Sequence, residues 1–105
     1  FQKNAFDVVL LRHILEHLPE YTTAIKESLR VATSHVLIDF FIAPTPLPFD
    51  LHFTLQPGYH ENRYSRWRFE RFLTSQDLAS WQSWNVAGSK GQTARVYLLE
   101  KQRFN

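Results

Sequence analysis

Two short apolar runs, Phe6–Leu11 and His35–Ile42, flank a segment with helical spacing, and that arrangement leaves the chain few folds to choose from. Runs this continuous suit strands covered on both faces, as in parallel sheets. Between them, Tyr21, Ala24, Ile25, Ser28, Leu29 and Ala32 recur at the spacing of one helix face. Lys26, Glu27 and Arg30 fall largely outside that stripe and are expected in water. Pro19 and Glu20 suit a helix's first turn, where proline is tolerated and an acid meets the positive end of the dipole. The helix is expected to end near Thr33–Ser34. Strand, helix and strand over this span make a βαβ unit with a right-handed crossover. Its first strand runs straight into a polar stretch containing Arg12, His13, Glu16 and His17. Open α/β sheets hold their ligands at strand ends of this kind.

The remainder of the chain adds a long irregular segment, a helix and a hairpin. Ala43–Pro57 carries four of the five prolines and shows no clear period, so it reads as a loop over the end of the second strand. Loops this long in compact domains are often lids or binding loops. Ser65 caps a helix expected to run from Arg66 to about Ser80, with Phe69, Phe72, Leu73 and Gln76 as its buried stripe. Thr74 and Asp77 have capping-box spacing, which allows a break near Thr74. Trp81–Gly88 and Ala94–Gln102 read as strands joined through Ser89–Gln92, an antiparallel hairpin.

At 105 residues the chain is expected to form one domain, and 44% hydrophobic residues predict a packed core. There is no cysteine, which excludes disulfides and thiolate metal sites. No apolar run approaches the roughly 20 residues of a membrane span. A net charge of +2 gives little electrostatic drive toward nucleic acid. Arg63, Arg66, Arg68 and Arg71 do cluster near Trp67, but Glu61 and Glu70 dilute them, so nucleic acid is not the expected partner. Trp67 lies off the apolar stripe and is a candidate contact for a partner chain. The chain contains no methionine and is read as a piece of a longer protein.

The order of motifs resembles class I S-adenosylmethionine-dependent methyltransferases of the small-molecule branch. The resemblance lies in Phe6–Asp7–Val8–Val9, then His13–Ile14–Leu15–Glu16–His17–Leu18–Pro19, then Glu27–Ser28–Leu29–Arg30–Val31, then Val36–Leu37–Ile38. It implies an α/β fold, a partial Rossmann-like sheet in which a parallel βαβ unit is followed by a helix and a C-terminal antiparallel hairpin. The last strand would insert antiparallel between the two before it in the sheet. It further implies that residues 1–105 are the C-terminal half of a methyltransferase domain. The glycine-rich turn and the ribose-binding acid of that family belong to the missing half, and none of Gly58, Gly88 and Gly91 sits in a strand-to-helix turn. The expected activity of the longer enzyme is methyl transfer from S-adenosylmethionine to a small-molecule acceptor, in the cytoplasm, with this piece inactive alone. The first strand would be left with an open apolar edge, which invites self-association. A non-catalytic association module is therefore the second reading.

By the resemblance, Leu11, Arg12, His13 and His17 lie on the cofactor side. Methyl transfer depends mainly on proximity and orientation, and His13 is the candidate general base for the acceptor. Asp39 interrupts an apolar strand, where a carboxylate must be paired, and it faces either the substrate or a neighbouring loop. His52, Tyr59, His60 and Tyr64 are substrate-side candidates by location, with lid packing as their structural alternative. A third reading starts from His13–Glu16–His17 as the H-x-x-E-H signature of inverted zincins. On one continuous helix both imidazoles would share a face and bind zinc. Pro19 directly after the motif and the strand directly before it argue against that helix.

Overall fold

The computed structural model describes residues 1–56, 59–88 and 90–102, with the side chains of Leu55, Gln56 and Tyr59 outside that description. Pro57, Gly58 and Ser89, which the sequence places in connecting turns, lie outside the described residues. The elements are β1 (Phe6–Arg12), α1 (Thr22–Val31), β2 (Ala32–Phe40), β3 (Leu51–Gln56), β4 (Tyr59–Arg63), α2 (Arg66–Ser75), β5 (Leu78–Ala87) and β6 (Thr93–Lys101). A single 3-10 turn, Leu15–His17, follows β1.

The principal sheet has the order β1-β2-β6-β5. β1 and β2 are parallel, with Leu11 beside Ile38, and α1 makes the crossover between them. β6 enters antiparallel between β2 and β5. This is the partial α/β sheet that the strand pattern and the resemblance imply.

Several boundaries differ from the sequence reading. α1 stops at Val31 and β2 begins at once, with Ala32 already extended. The amide of Ala32 bonds Ser28 O, Phe6 pairs with Ala32, and Ser34 Oγ donates to Asp7 O at 3.0 Å, so sheet pairing claims residues that helical spacing alone would leave in the helix. α2 ends at Ser75 rather than near Ser80, and β5 starts at Leu78. The hydroxyl of Thr74 bonds back to Glu70 O at 3.0 Å instead of capping a new turn. The largest correction concerns the proline-rich loop. Its second half is β3, paired antiparallel with β4, with Leu51 opposite Arg63 and Phe53 opposite Glu61. Leu51, Phe53 and Leu55 alternate with polar residues, the period of a strand, but prolines at 44, 46 and 48 hide it.

Both helices lie on one face of the sheet. Ile25 of α1 and Phe69 and Leu73 of α2 close over Leu11, Val36, Ile38, Phe40, Tyr97 and Leu99, all buried in one cluster. Tyr21, Phe40, Phe69 and Tyr97 meet edge to face, with Phe69 and Tyr97 centroids 4.9 Å apart. Such pairs add to what burial alone contributes. α2 is also tied to the sheet by polar contacts. The Tyr97 hydroxyl donates to Glu70 Oε2 at 2.8 Å and Arg95 Nη2 lies 3.8 Å from the same oxygen, while Arg66 Nε donates to Glu70 within α2 at 2.6 Å and Arg95 also reaches Asn85 and Ser83 within the sheet. Burial and the Glu70 carboxylate raise the Tyr97 phenol well above its ordinary value. At the start of α1, Glu20 accepts from the amides of Thr22 and Thr23, at 2.6 and 3.3 Å. Those bonds satisfy donors that a helix start otherwise leaves free.

The opposite face is bare. Strand alternation points Val8, Leu10, Leu37, Val96, Leu98 and Trp84 away from the helices. Val8 and Leu10 are 53% and 54% exposed. β1 is an edge strand.

Candidate functional site

The C-terminal end of β1 is held by backbone and side-chain hydrogen bonds. The amide of His13 donates to Asp39 O at 2.9 Å, which carries the β1–β2 ladder one residue past the strand. His13 then takes φ of 53°, a left-handed conformation that is uncommon outside glycine and clusters at functional sites. The Leu15–His17 turn follows, and the β3–β4 hairpin binds it. The Tyr64 hydroxyl, just past β4, lies 2.8 Å from Leu15 O and 2.9 Å from Leu18 O. Asn62 Nδ2 donates to Leu18 O at 2.6 Å, and His17 Nδ1 lies 2.9 Å from His60 O. The hairpin thus lies across the strand end as a fixed wall.

A cleft of about 570 Å3 opens between these parts. His13, Glu16 and His17 form one side, Phe41 and Ile42 after β2 the second, and Phe53, Glu61, Asn62 and Arg63 of the hairpin the third. Its surface is predominantly apolar, as ligand sites commonly are. The His13 ring stands edge-on to Phe41, centroids 5.2 Å apart. His13 Nε2 is 3.6 Å from Asp39 Oδ2, and Arg12 Nε is 3.8 Å from the same oxygen. Asp39 therefore has its charge partners at the strand end itself, on the face of the sheet away from the helices.

The residues expected at the site divide into two groups. His13 and His17 line the cleft. Leu11 is buried in the core, so only its backbone is left for a ligand, and the Arg12 side chain is largely exposed. Asp39 meets the cleft through His13. His52 and His60 fall on the hairpin face opposite Phe53, with His52 Nδ1 3.2 Å from Asn62 Oδ1. Tyr64 is buried and its hydroxyl is spent on the 3-10 turn, while burial raises its phenol above the ordinary value. The side chain of Tyr59 lies outside the described residues. The arginines beside Trp67 are engaged locally: Arg63 on Ala43 O, Arg66 on Glu70, Arg68 near Asp50, and Arg71 stacked 5.3 Å over Trp67.

Two features escaped the sequence. Phe53, Glu61, Asn62 and Arg63 enter the site only because the supposed loop is a hairpin. Glu16 enters as a buried carboxylate rather than as the acid of a zinc motif. Its Oε2 accepts from the Phe41 amide at 2.7 Å. The zinc reading fails on geometry. His13 is left-handed and outside any helix, and Leu15–His17 is one isolated turn, so the two imidazoles do not share a helix face. Among the described residues no group of histidines and acids is gathered as a metal would need.

Comparison with known proteins bears on the fold. No protein-family model and no curated protein matches the chain. Solved structures do match it. One is the Burkholderia thailandensis 1,6-didemethyltoxoflavin-N1-methyltransferase with bound 1,6-didemethyltoxoflavin and S-adenosylhomocysteine, at TM-score 0.69 and 14% identity over 98% of this chain. The fold is that of part of a methyltransferase. The chain spans 47% of that enzyme's length. The YcgJ protein of Bacillus subtilis superposes at TM-score 0.65 and 14% identity, over 99% of this chain and 67% of its own. Among the described residues no helix is long and apolar enough to cross a membrane.

Proposed function

We propose that this chain is the C-terminal half of a class I S-adenosylmethionine-dependent methyltransferase domain, acting in the cytoplasm on a small-molecule acceptor as part of a longer enzyme. The observation that carries the reading is the sheet itself. Its β1-β2-β6-β5 order, with β6 reversed, superposes on a methyltransferase that binds S-adenosylhomocysteine. The cleft lies at the C-terminal end of β1, the end that open α/β sheets use for ligands.

The residues present fit one side of the cofactor. The backbone of Leu11, with Arg12, His13 and His17, would hold it, and His13 and His17 already share one cleft wall. The described glycines, Gly88 and Gly91, belong to the β5–β6 turn and supply no cradle here. Bound S-adenosylmethionine supplies an electrophilic methyl group. The chain's own share is to seat the acceptor against Phe41, Ile42 and Phe53 and to exclude water. His13 takes the acceptor's proton, and Asp39 orients the ring. His52, His60 and Tyr64 contribute on the acceptor side by shaping the hairpin wall rather than by lining it, and Tyr59 is a further acceptor-side residue in this reading.

The bare face favours a companion reading, an association surface. Parallel sheets are normally covered on both faces, and an open edge recruits another strand. In this reading β1 pairs with a further copy of the chain, giving a dimer, when the complementing half is absent. Calorimetric titration with S-adenosylhomocysteine, of this chain and of one extended N-terminally, tests the main reading. Micromolar binding by the extended chain alone supports the half-domain. No binding by either leaves only the association module.

A further inference from the structure

We infer that the free edge of β5 pairs antiparallel with the β5 edge of a second copy of this chain. The sheet order leaves two edge strands, β1 and β5, and they differ in how they are guarded. β1 carries a charge near each end, Asp7 and Arg12. β5 spans Leu78–Ala87, 10 residues, and contains no charge and no proline. Among the described residues its only strand neighbour is β6, so a row of amides and carbonyls faces outward along its length. Edge strands that stay single are normally short, bent by a bulge, or protected by lysine or proline. The irregularity between Leu78 and Ser80 touches only the start of β5 and leaves Ser80–Ala87 in continuous register with β6.

Symmetry and charge select the occupant. Two copies of one edge bring like charges together, so a charged edge opposes self-pairing and an uncharged one does not. The charges flanking β5 are Asp77 before it and Lys90 after it, both exposed. Antiparallel pairing about a two-fold axis near Gln82 and Ser83 sets Asp77 of each copy at the end where Lys90 of the other lies. The charges on the neighbouring strand are already engaged: Glu100 accepts from Ser80 Oγ at 3.2 Å, and Arg95 reaches Ser83 and Asn85. Tryptophan flanks the edge on both faces. Trp84 is 43% exposed on the face away from the helices, and Trp67 of α2, 58% exposed, lines a groove with Trp81 on the helical face. Glu70 and Arg71 in that groove are opposite in sign and held, Glu70 by Tyr97 and Arg71 over Trp67. Exposed aromatic residues of this kind are enriched where proteins meet. The β5 edge stays open when β1 is paired by further chain, so this dimer is distinct from association through β1 and does not depend on the methyltransferase reading.

Amide hydrogen exchange read by NMR, with sedimentation equilibrium on the same samples, tests this. Pairing covers the outward amides of β5. Alternate amides of Ser80–Ala87 should therefore exchange about tenfold more slowly at millimolar than at micromolar chain, over the range in which sedimentation shows dimer. Gln82 is exposed, and Gln82→Lys brings two like charges together at the centre of the pair. That variant should lose the concentration dependence along β5 while the β1 amides behave as in the wild type. A chain that stays monomeric at millimolar concentration, or protection that rises only along β1, overturns the inference. An unchanged β5 effect in a folded Gln82→Lys variant overturns it as well, and the wild-type comparison decides it even if the variant misfolds.

Discussion

The two faces of the β1-β2-β6-β5 sheet carry similar sequence and meet different fates. Val9, Leu11, Val36, Ile38 and Leu99 point inward and are buried under two helices or packed against that core. Val8, Leu10, Leu37, Val96 and Leu98 alternate with them along the same strands and point outward, where Val8 and Leu10 are more than half exposed and Leu37, Val96 and Leu98 are half-buried. Hydrophobicity therefore does not separate the faces; cover does. A strand apolar on both sides is written for a three-layer molecule, and here one layer is supplied within the chain.

The contrast is sharpest where the inner face is cut. Phe69 is fully buried against Tyr21, Phe40 and Tyr97, and Phe69→Ala should cost about 3–5 kcal/mol, read from urea denaturation. A loss below about 1 kcal/mol would mean that the helical layer is not the stabilising one. The second test addresses how that layer is fastened. Hydrogen bonds from Thr22 and Thr23 hold the Glu20 carboxyl below its ordinary value of 4.5. A carboxyl lowered by folding adds stability above its unfolded pKa and loses it as pH falls through the folded one. Glu20→Gln should cost about 0.5–1 kcal/mol at pH 7, and wild type and variant should converge as pH falls through the lowered value of the folded state. A gap that persists in acid would refute the charge-based cap. The smallest effect on stability belongs to the outer face. Leu10→Thr should change unfolding by less than about 0.5 kcal/mol. The same variant should weaken self-association of the chain, measured by sedimentation equilibrium. A large loss of stability at Leu10 would show that the outer face is already covered, and the comparison would break.

The candidate site was legible in part, and the division follows the range of the interactions. His13 and His17 were found because a strand end running into polar residues is a local pattern. The hairpin wall was missed because the prolines at 44, 46 and 48 mask the alternation of Leu51, Phe53 and Leu55. Strand pairing there is decided by partners such as Arg63 and Glu61, several residues further on. Asp39 stood out as a charge in an apolar run. Its partners, Arg12 and His13, lie far away in sequence and meet it only through the parallel register of β1 and β2.

Periodicity and local chemistry in the sequence determined that this is an α/β chain with a parallel βαβ unit and a terminal hairpin, because apolar spacing fixes which face of each element must be buried. Only the tertiary structure decided where α1 gives way to β2, that the proline-rich stretch ends as a β-hairpin, and that Glu16 is a buried carboxylate in a cleft wall. Each of these depends on a partner distant in the chain: Phe6 for Ala32, Arg63 for Leu51, Phe41 for Glu16. A local pattern specifies what a segment is able to become, and long-range hydrogen bonding and burial select which of those outcomes is realised.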